Sequence, residues 1–168
     1  MAEELAPWHD YYVSLVTAAA GLLGLLFVAL SLHVKVLAQD ANAELRAVAR
    51  TVFIGYVVAL AIGFLALVPQ TLRAFGIELL ALCLFAVVPF ALAAGRGFRA
   101  RGIGYRRSVT VLQFVVGAAL QVIALVASMD VASGDASGLV IIGAITVLSL
   151  LWGVFNTWEL IFRVAPLS

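Results

Sequence analysis

Charged side chains and cysteine are both scarce in this sequence, and each shortage excludes whole classes of protein. Of the 168 residues, 11% are charged and 65% are hydrophobic, whereas a soluble domain has about 25% charged residues. A chain of this size has no means of burying so much apolar surface in water, so the composition excludes a water-soluble globular domain. The single cysteine, Cys83, excludes an intrachain disulfide, a CxxC redox pair and a cysteine-ligated zinc site.

The sequence also lacks the groups from which an enzyme or a metal site is built. It has no Ser-His-Asp or thiol-based catalytic constellation, and His9 and His33 fall at opposite ends of one apolar run. His9 and Asp10 are adjacent, and two neighbouring ligands make a poor metal chelate. We therefore expect no catalytic residue, no metal and no cofactor. The net charge of +1 gives no reason to expect a nucleic-acid partner.

Five long apolar runs are what the sequence does contain. A helix needs about 20 apolar residues to cross the hydrocarbon core of a membrane. We predict transmembrane helices at about 12–37, 48–68, 72–94, 108–128 and 138–164, which form one all-α domain over residues 1–168. The chain opens Met1-Ala2-Glu3-Glu4, without the positive charge of a secretory signal, so we expect the first run to remain as a helix.

The positive charges are segregated by these runs. Nine of the ten basic residues fall on alternate connections, and these are Lys35, Arg46, Arg50, Arg96, Arg99, Arg101, Arg106, Arg107 and Arg163. Basic residues beside transmembrane helices are retained in the cytoplasm, so we predict an N-terminus outside and a C-terminus in the cytoplasm. Only Arg73 departs from this pattern. We also expect the cluster Arg96, Arg99, Arg101, Arg106 and Arg107 to bind anionic lipid headgroups.

Small residues recur at helical spacing along the predicted helices. Lipid tails are as apolar as leucine, so membrane helices associate through small residues and interhelical hydrogen bonds rather than through apolar burial. We expect the following residues to lie at helix contacts: Gly21, Gly24, Gly55, Ala59, Gly63, Gly117 and Gly153. Because several helices carry such faces, we predict a homo-oligomer in the lipid bilayer.

Polar side chains form stripes on the fourth and fifth predicted helices. Gln113 and Gln121 share a face of the fourth, and Ser149 and Asn156 share a face of the fifth. A glutamine in hydrocarbon needs a polar partner, and either a neighbouring helix or the water of a pore supplies one. The sequence leaves both interpretations open.

Ionisable residues lie near the predicted cytoplasmic ends of the first and fifth helices. Glu159 follows Asn156, Arg163 follows one turn later, and His33 lies at a similar depth on the first helix. Charged groups within a span are costly and often functional. In one interpretation His33 and Glu159 pair and relay protons. In the other, Glu159 pairs with Arg163 and His33 reaches the headgroups. The candidate pore or proton-site residues are Glu159, Asn156, His33, Gln113, Gln121 and Ser149.

Two parts of the sequence resemble a known group of proteins. Near the N-terminus, Trp8-His9-Asp10-Tyr11-Tyr12 precedes GLLFVALSL at 24–32, and Asn156-Thr157-Trp158-Glu159-Leu160 follows near the C-terminus. Together they resemble a group of small multi-pass membrane proteins of bacteria for which no activity is known. The resemblance implies a bacterial inner-membrane location and supplies no substrate or cofactor.

Two functional hypotheses follow from the sequence. The continuous polar stripe on the fifth helix favours an ion channel or permeation pore, assembled from several copies and lined by the fifth or fourth helix. The alternative is an accessory or regulatory subunit that docks a larger membrane complex through its small-residue faces.

Overall fold

The chain is helical throughout the residues that the computed structural model describes, which are 4–39, 42–99 and 107–164. A 3-10 turn, Ala6–Trp8, leads into α1 (His9–Leu32), followed by α2 (Val34–Leu37), α3 (Ala43–Leu67), α4 (Leu72–Arg99), α5 (Arg107–Ser133) and α6 (Ser137–Val164). Five of these helices, all except α2, are long and apolar enough to cross a membrane. The prediction of an all-α chain with five such helices is confirmed, and it indicates a multi-pass membrane protein.

The helices extend beyond the predicted spans at several ends. α4 continues past Ala94 to Arg99, and α5 continues past Ser128 to Ser133. Hydropathy marks the depth of the hydrocarbon, whereas a helix ends where its backbone hydrogen bonds end. Because of this extension, part of the basic cluster lies in helices rather than in a connection. Arg96 and Arg99 belong to α4 and Arg107 begins α5, while Arg101 and Arg106 lie outside the described residues.

The first predicted helix, 12–37, is interrupted at His33. This residue ends α1 with φ −110° and ψ 17°, and its N–H donates to the carbonyl of Leu30. The short α2 then brings Val36 and Leu37 into a buried cluster with residues of α3 and α6, which are Leu45, Ala49 and Leu160. The interruption therefore redirects the chain so that α2 packs against the ends of two other helices.

Four of the long helices form a closed ring. α3 packs against α4, α4 against α5, α5 against α6, and α6 against α3. Because successive helices are joined end to end across the same thickness, α3 and α5 run in one direction and α4 and α6 in the other. α1 lies outside the ring, against α3 and along part of α6. It buries one side of its surface, formed by Tyr12, Leu15, Ala19 and Leu26.

The ring is closed at the end that carries its two short turns, 68–71 and 134–136, which we call the turn end. There Gly76 of α4 lies directly against the backbone of Ala132 on α5. A Cβ at Gly138 of α6 would be 2.7 Å from the carbonyl oxygen of Ala127. Large buried side chains fill the remaining space, among them Phe75, Leu79, Val131 and Leu139. We call the opposite end, where Lys35, Arg46 and Arg50 lie, the basic end.

Local interactions order the turn between α5 and α6. Gly134 has φ 97°, a conformation that favours glycine. The N–H of Ser137 donates to the carboxylate of Asp135 at 2.8 Å, and this hydrogen bond lowers the pKa of the exposed Asp135 carboxyl below its ordinary value. The side chain of Arg73, at the start of α4, lies against Gly134. Both turns therefore meet at the closed end of the ring.

Candidate functional site

A partly open cavity of about 140 Å³ lies between α3, α4, α5 and α6. Its lining extends from Val48 to Ile62 on α3 and from Ile142 to Asn156 on α6. At 1.5 Å per residue, each of these stretches covers about 21 Å along the helix axis. The hydrocarbon core is about 30 Å thick, so the cavity is elongated along the helices and lies deep within the span.

Large rings that pack against glycine set the spacing of the helices around the cavity. The ring of Phe90 on α4 would lie 2.8 Å from a Cβ at Gly117 on α5. It also meets Phe114 edge to face, with ring centroids 6.0 Å apart. On the other side, the ring of Tyr56 on α3 fills the space beside Gly153 on α6. Away from the turn end, aromatic rings rather than backbone contacts thus separate neighbouring helices.

The cavity wall is mostly apolar, and none of the described residues that line it is charged. Polar atoms interrupt this wall at seven side chains, which are Thr51, Cys83, Gln121, Thr146, Ser149, Trp152 and Asn156. Thr51 and Thr146 each donate to the carbonyl four residues earlier on their own helix, at 3.0 and 2.6 Å. Gln121 connects two helices, because its Nε2 donates to the carbonyl of Cys83 at 2.8 Å.

Among the described residues that line the cavity, Asn156 has a fully buried polar atom without a hydrogen bond. It is 5% exposed, and its Nδ2 donates to the carbonyl of Trp152 at 2.7 Å. A carbonyl accepts and does not donate, so this contact assigns the amide nitrogen and leaves Oδ1 as the other atom. Oδ1 is buried and has no hydrogen-bond partner among the described residues. An unsatisfied buried acceptor costs about 1–3 kcal/mol.

The structure brings three of the polar candidates together in the cavity, namely Gln121, Ser149 and Asn156. Gln113 lies on α5, but its side chain is outside the described part of the chain. Glu159 lies one turn beyond Asn156 on α6, is partly exposed, and is not a lining residue of the cavity.

His33 lies apart from the cavity, in a small crevice beside Thr157 and Leu160 of α6. Its Nδ1 is 3.0 Å from the carbonyl oxygen of Ala29 on its own helix. α1 and α6 are neighbours, but within the described ranges the ion pairs do not include one between His33 and Glu159. The side chain of Arg163 is not described.

The small residues fall into three environments. Gly63 lies against Val16 of α1, and Gly117 and Gly153 lie against aromatic rings. Gly55 and Ala59 line the cavity, and a Cβ at Gly55 meets no atom within 4 Å. Gly21 and Gly24 also meet none, but on the exposed side of α1. Their role in packing stays a prediction about contacts outside this chain.

Four polar lining residues are not among the candidates from the sequence, and these are Thr51, Cys83, Thr146 and Trp152. Thr51 precedes Gly55 by four residues, so the spacing that joins Gly55 to Ala59 also includes it and was available as a signal. Cys83 has no comparable signal, because it lies among apolar residues and carries no periodic polar neighbour.

Comparison with known proteins gives no relative from which a function of this site could be inferred. No protein-family model, curated protein or solved structure matches the chain. Among the described residues, no three His, Cys, Asp or Glu side chains are grouped so that they could hold a metal ion.

Proposed function

We propose that this protein binds a small, uncharged and largely apolar molecule in the cavity between α3, α4, α5 and α6. The observation that carries this proposal is the elongated apolar cavity without a charged lining residue. Its volume suits a ligand about the size of benzene, since an engineered apolar cavity of about 150 Å³ in another protein binds that molecule.

The closed turn end supports binding rather than open passage. Gly76 and Gly138 let the backbones of three helices approach there, and Val131 and Leu139 are almost completely buried. No gap of molecular size separates helices that touch through their backbones. A molecule in the cavity is therefore held on one side of a packed barrier.

Ion conduction is the weaker explanation of the same geometry. The described polar residues Gln121 of α5 and Ser149 and Asn156 of α6 line a cavity between helices of one protomer. An isolated ion in apolar surroundings costs tens of kcal/mol before any compensation, and the described lining residues offer no counter-charge. An uncharged ligand meets no such penalty.

A glycine in the cavity wall provides the test. Because a Cβ at Gly55 meets no atom within 4 Å, Gly55→Leu places a side chain in the cavity without a clash at Cβ. We expect wild-type protein in detergent micelles to show a bound fluorine-19 resonance with 4-fluorotoluene. In Gly55→Leu this resonance should be lost, because the new side chain occupies the space of the ligand.

Gly95→Leu is the matched control. A Cβ at Gly95 also meets no atom within 4 Å, and Gly95 is not a lining residue. This variant should bind 4-fluorotoluene as the wild type does. Equal binding by both leucine variants would show that the probe sits elsewhere, and ion flux through the protein in liposomes would favour a pore instead.

A second role, in docking, is favoured by a specific feature of α1. Thr17, Gly21, Gly24 and Ser31 form an exposed stripe opposite the buried side of this helix. Small residues allow the close backbone approach by which membrane helices associate. We propose that a second copy of the chain packs on this stripe, and the alternative occupant is a larger complex that the protein serves as an accessory subunit.

We propose a bacterial inner membrane as the location, with the basic end in the cytoplasm. The segregation of Lys and Arg supports the orientation, and the sequence resemblance at the two ends of the chain supports the bacterial membrane. In this orientation the end of α4, which carries Arg96 and Arg99, and the start of α5, which carries Arg107, lie on the side of the anionic cytoplasmic headgroups.

A further inference from the structure

We propose that the ligand carries a hydroxyl group and that Asn156 recognises this group by accepting its hydrogen bond at Oδ1. The inference rests on the proposed binding function and names the class of ligand: an uncharged alcohol or phenol with a compact apolar body.

The chemistry at Asn156 favours a donor on the ligand, while the hydroxyl of Ser149 and the indole N–H of Trp152 are donors elsewhere in the wall. The Nδ2 atom of Asn156 is held by the carbonyl of Trp152, so the atom that lacks a partner is an acceptor. The hydroxyls of Thr51 and Thr146 each donate their one hydrogen bond to a carbonyl of their own helix. Towards a ligand they can therefore act only as acceptors. A ligand that only accepts hydrogen bonds would leave Oδ1 of Asn156 unsatisfied.

Asn156 lines the cavity and its Oδ1 is buried, so we expect a small turn of the amide to bring this atom to the ligand hydroxyl. The torsion about Cβ–Cγ of asparagine has a broad and shallow preference, which permits this movement at low cost. The ligand hydroxyl then supplies the hydrogen bond that the protein lacks, and the penalty of the unsatisfied acceptor is removed.

The membrane makes this polar contact important for affinity. A ligand that leaves lipid tails for an apolar cavity gains little hydrophobic free energy, because the two surroundings are equally apolar, and its apolar body contributes the dispersion contacts that it makes by filling the cavity. A hydroxyl in the hydrocarbon core has no hydrogen-bond partner and gains one at Asn156. The hydroxyl therefore adds to the affinity that the apolar body gains, and it distinguishes a ligand of this cavity from the surrounding lipid tails.

The test compares 4-fluorophenol with 4-fluorotoluene, which has a methyl group in place of the hydroxyl and nearly the same size. Fluorine-19 resonances give the affinity of each probe at equal concentration in the micelle. We expect the wild type to prefer 4-fluorophenol and Asn156→Leu to reduce that preference about tenfold, the effect of one hydrogen bond to a buried acceptor. Partitioning of the probes into the micelle cancels when variants are compared.

Asn156→Val gives the test a second variant of different shape. Valine removes Oδ1 and carries no other acceptor, whereas a threonine hydroxyl would still accept a hydrogen bond from the ligand. We expect the same loss of preference in this variant. If either folded variant keeps the wild-type preference, Asn156 is not the acceptor and the inference is overturned.

The outcomes separate this inference from the proposed function. If Gly55→Leu abolishes the binding of both probes but the wild type does not prefer 4-fluorophenol, the cavity binds ligands and the hydroxyl requirement is wrong. If neither probe responds to Gly55→Leu, the binding function itself fails, and the inference fails with it.

Discussion

The glycines of this protein differ in what lies beside them, and the difference decides which of them can be replaced. A Cβ at Gly76 would overlap the backbone of Ala132, whereas one at Gly55 meets no atom within 4 Å. Backbone atoms cannot move aside as a flexible side chain can. Where apolar burial does not hold helices together, such a close approach is a main source of their association.

We predict that Gly76→Ala lowers the thermal stability of the purified protein. The added methyl group forces α4 away from α5, and overpacking of this kind costs about 1–3 kcal/mol. Gly55→Ala is the control, and it should be neutral or slightly stabilising because alanine favours a helix by about 1 kcal/mol over glycine. Equal unfolding temperatures for the two variants, measured in the same detergent, would contradict the close contact.

Helical spacing identifies small residues but does not separate their environments. Gly55 and Gly63 are two turns apart on one face of α3, yet Gly55 lines the cavity and Gly63 contacts Val16 of α1. The difference arises because α1 covers only part of α3, and that depends on the tertiary arrangement. The unsatisfied Oδ1 of Asn156 is likewise invisible in the sequence, since it depends on which atoms surround the amide.

In the part of the chain that the structure describes, the small-residue face of α1 has no partner in the protomer. Gly21 and Gly24 are exposed, and the buried side of α1 consists of Tyr12, Leu15 and other larger residues. The stripe on α6 that contains Ser149 and Asn156 faces the cavity instead. The two stripes have similar spacing in the sequence, so only the packing of the helices tells them apart.

We predict a homo-oligomer in mild detergent that depends on this face of α1. Replacing both Gly21 and Gly24 by isoleucine should shift the protein to a monomer, because branched side chains prevent close backbone approach. Ala118→Ile adds similar bulk at an exposed position of α5 and should leave the assembly unchanged. Light scattering coupled to size-exclusion chromatography measures the mass.

Other assemblies would change the interpretation of α1. A wild-type monomer, or an oligomer that survives the double substitution, would show that the stripe does not join copies of the chain. A different protein that co-purifies with the wild type and is lost from the double variant would identify an accessory role.

The five long helices can be predicted from hydropathy, because each has to cross the same thickness of hydrocarbon and needs about 20 apolar residues to do so. The interruption at His33 does not, since neither proline nor glycine marks it. It accompanies the packing of Val36 and Leu37 against Leu45 and Leu160, which are contacts between distant parts of the chain. A local sequence pattern does not predict contacts between residues that are far apart in the chain.

At the scale of the whole molecule, the closed turn end is the acidic end, and the basic residues lie at the opposite end. The turn end carries Asp130 and Asp135, and the opposite end carries Lys35, Arg46 and Arg50. Arg73, the exception in the charge pattern, lies against Gly134 in the same acidic turn. The orientation in the membrane thus determines which compartment the packed barrier faces.

We predict that the turn end lies outside the cytoplasm, because basic residues are retained inside. A membrane-impermeant maleimide applied to intact cells should label Asp135→Cys and should label Lys35→Cys only after the membrane is permeabilised. Both positions are exposed, and the native Cys83 is buried, so the unsubstituted protein serves as the blank. The reverse labelling pattern would place the basic end outside, and the barrier of Gly76 and Gly138 would then face the cytoplasm.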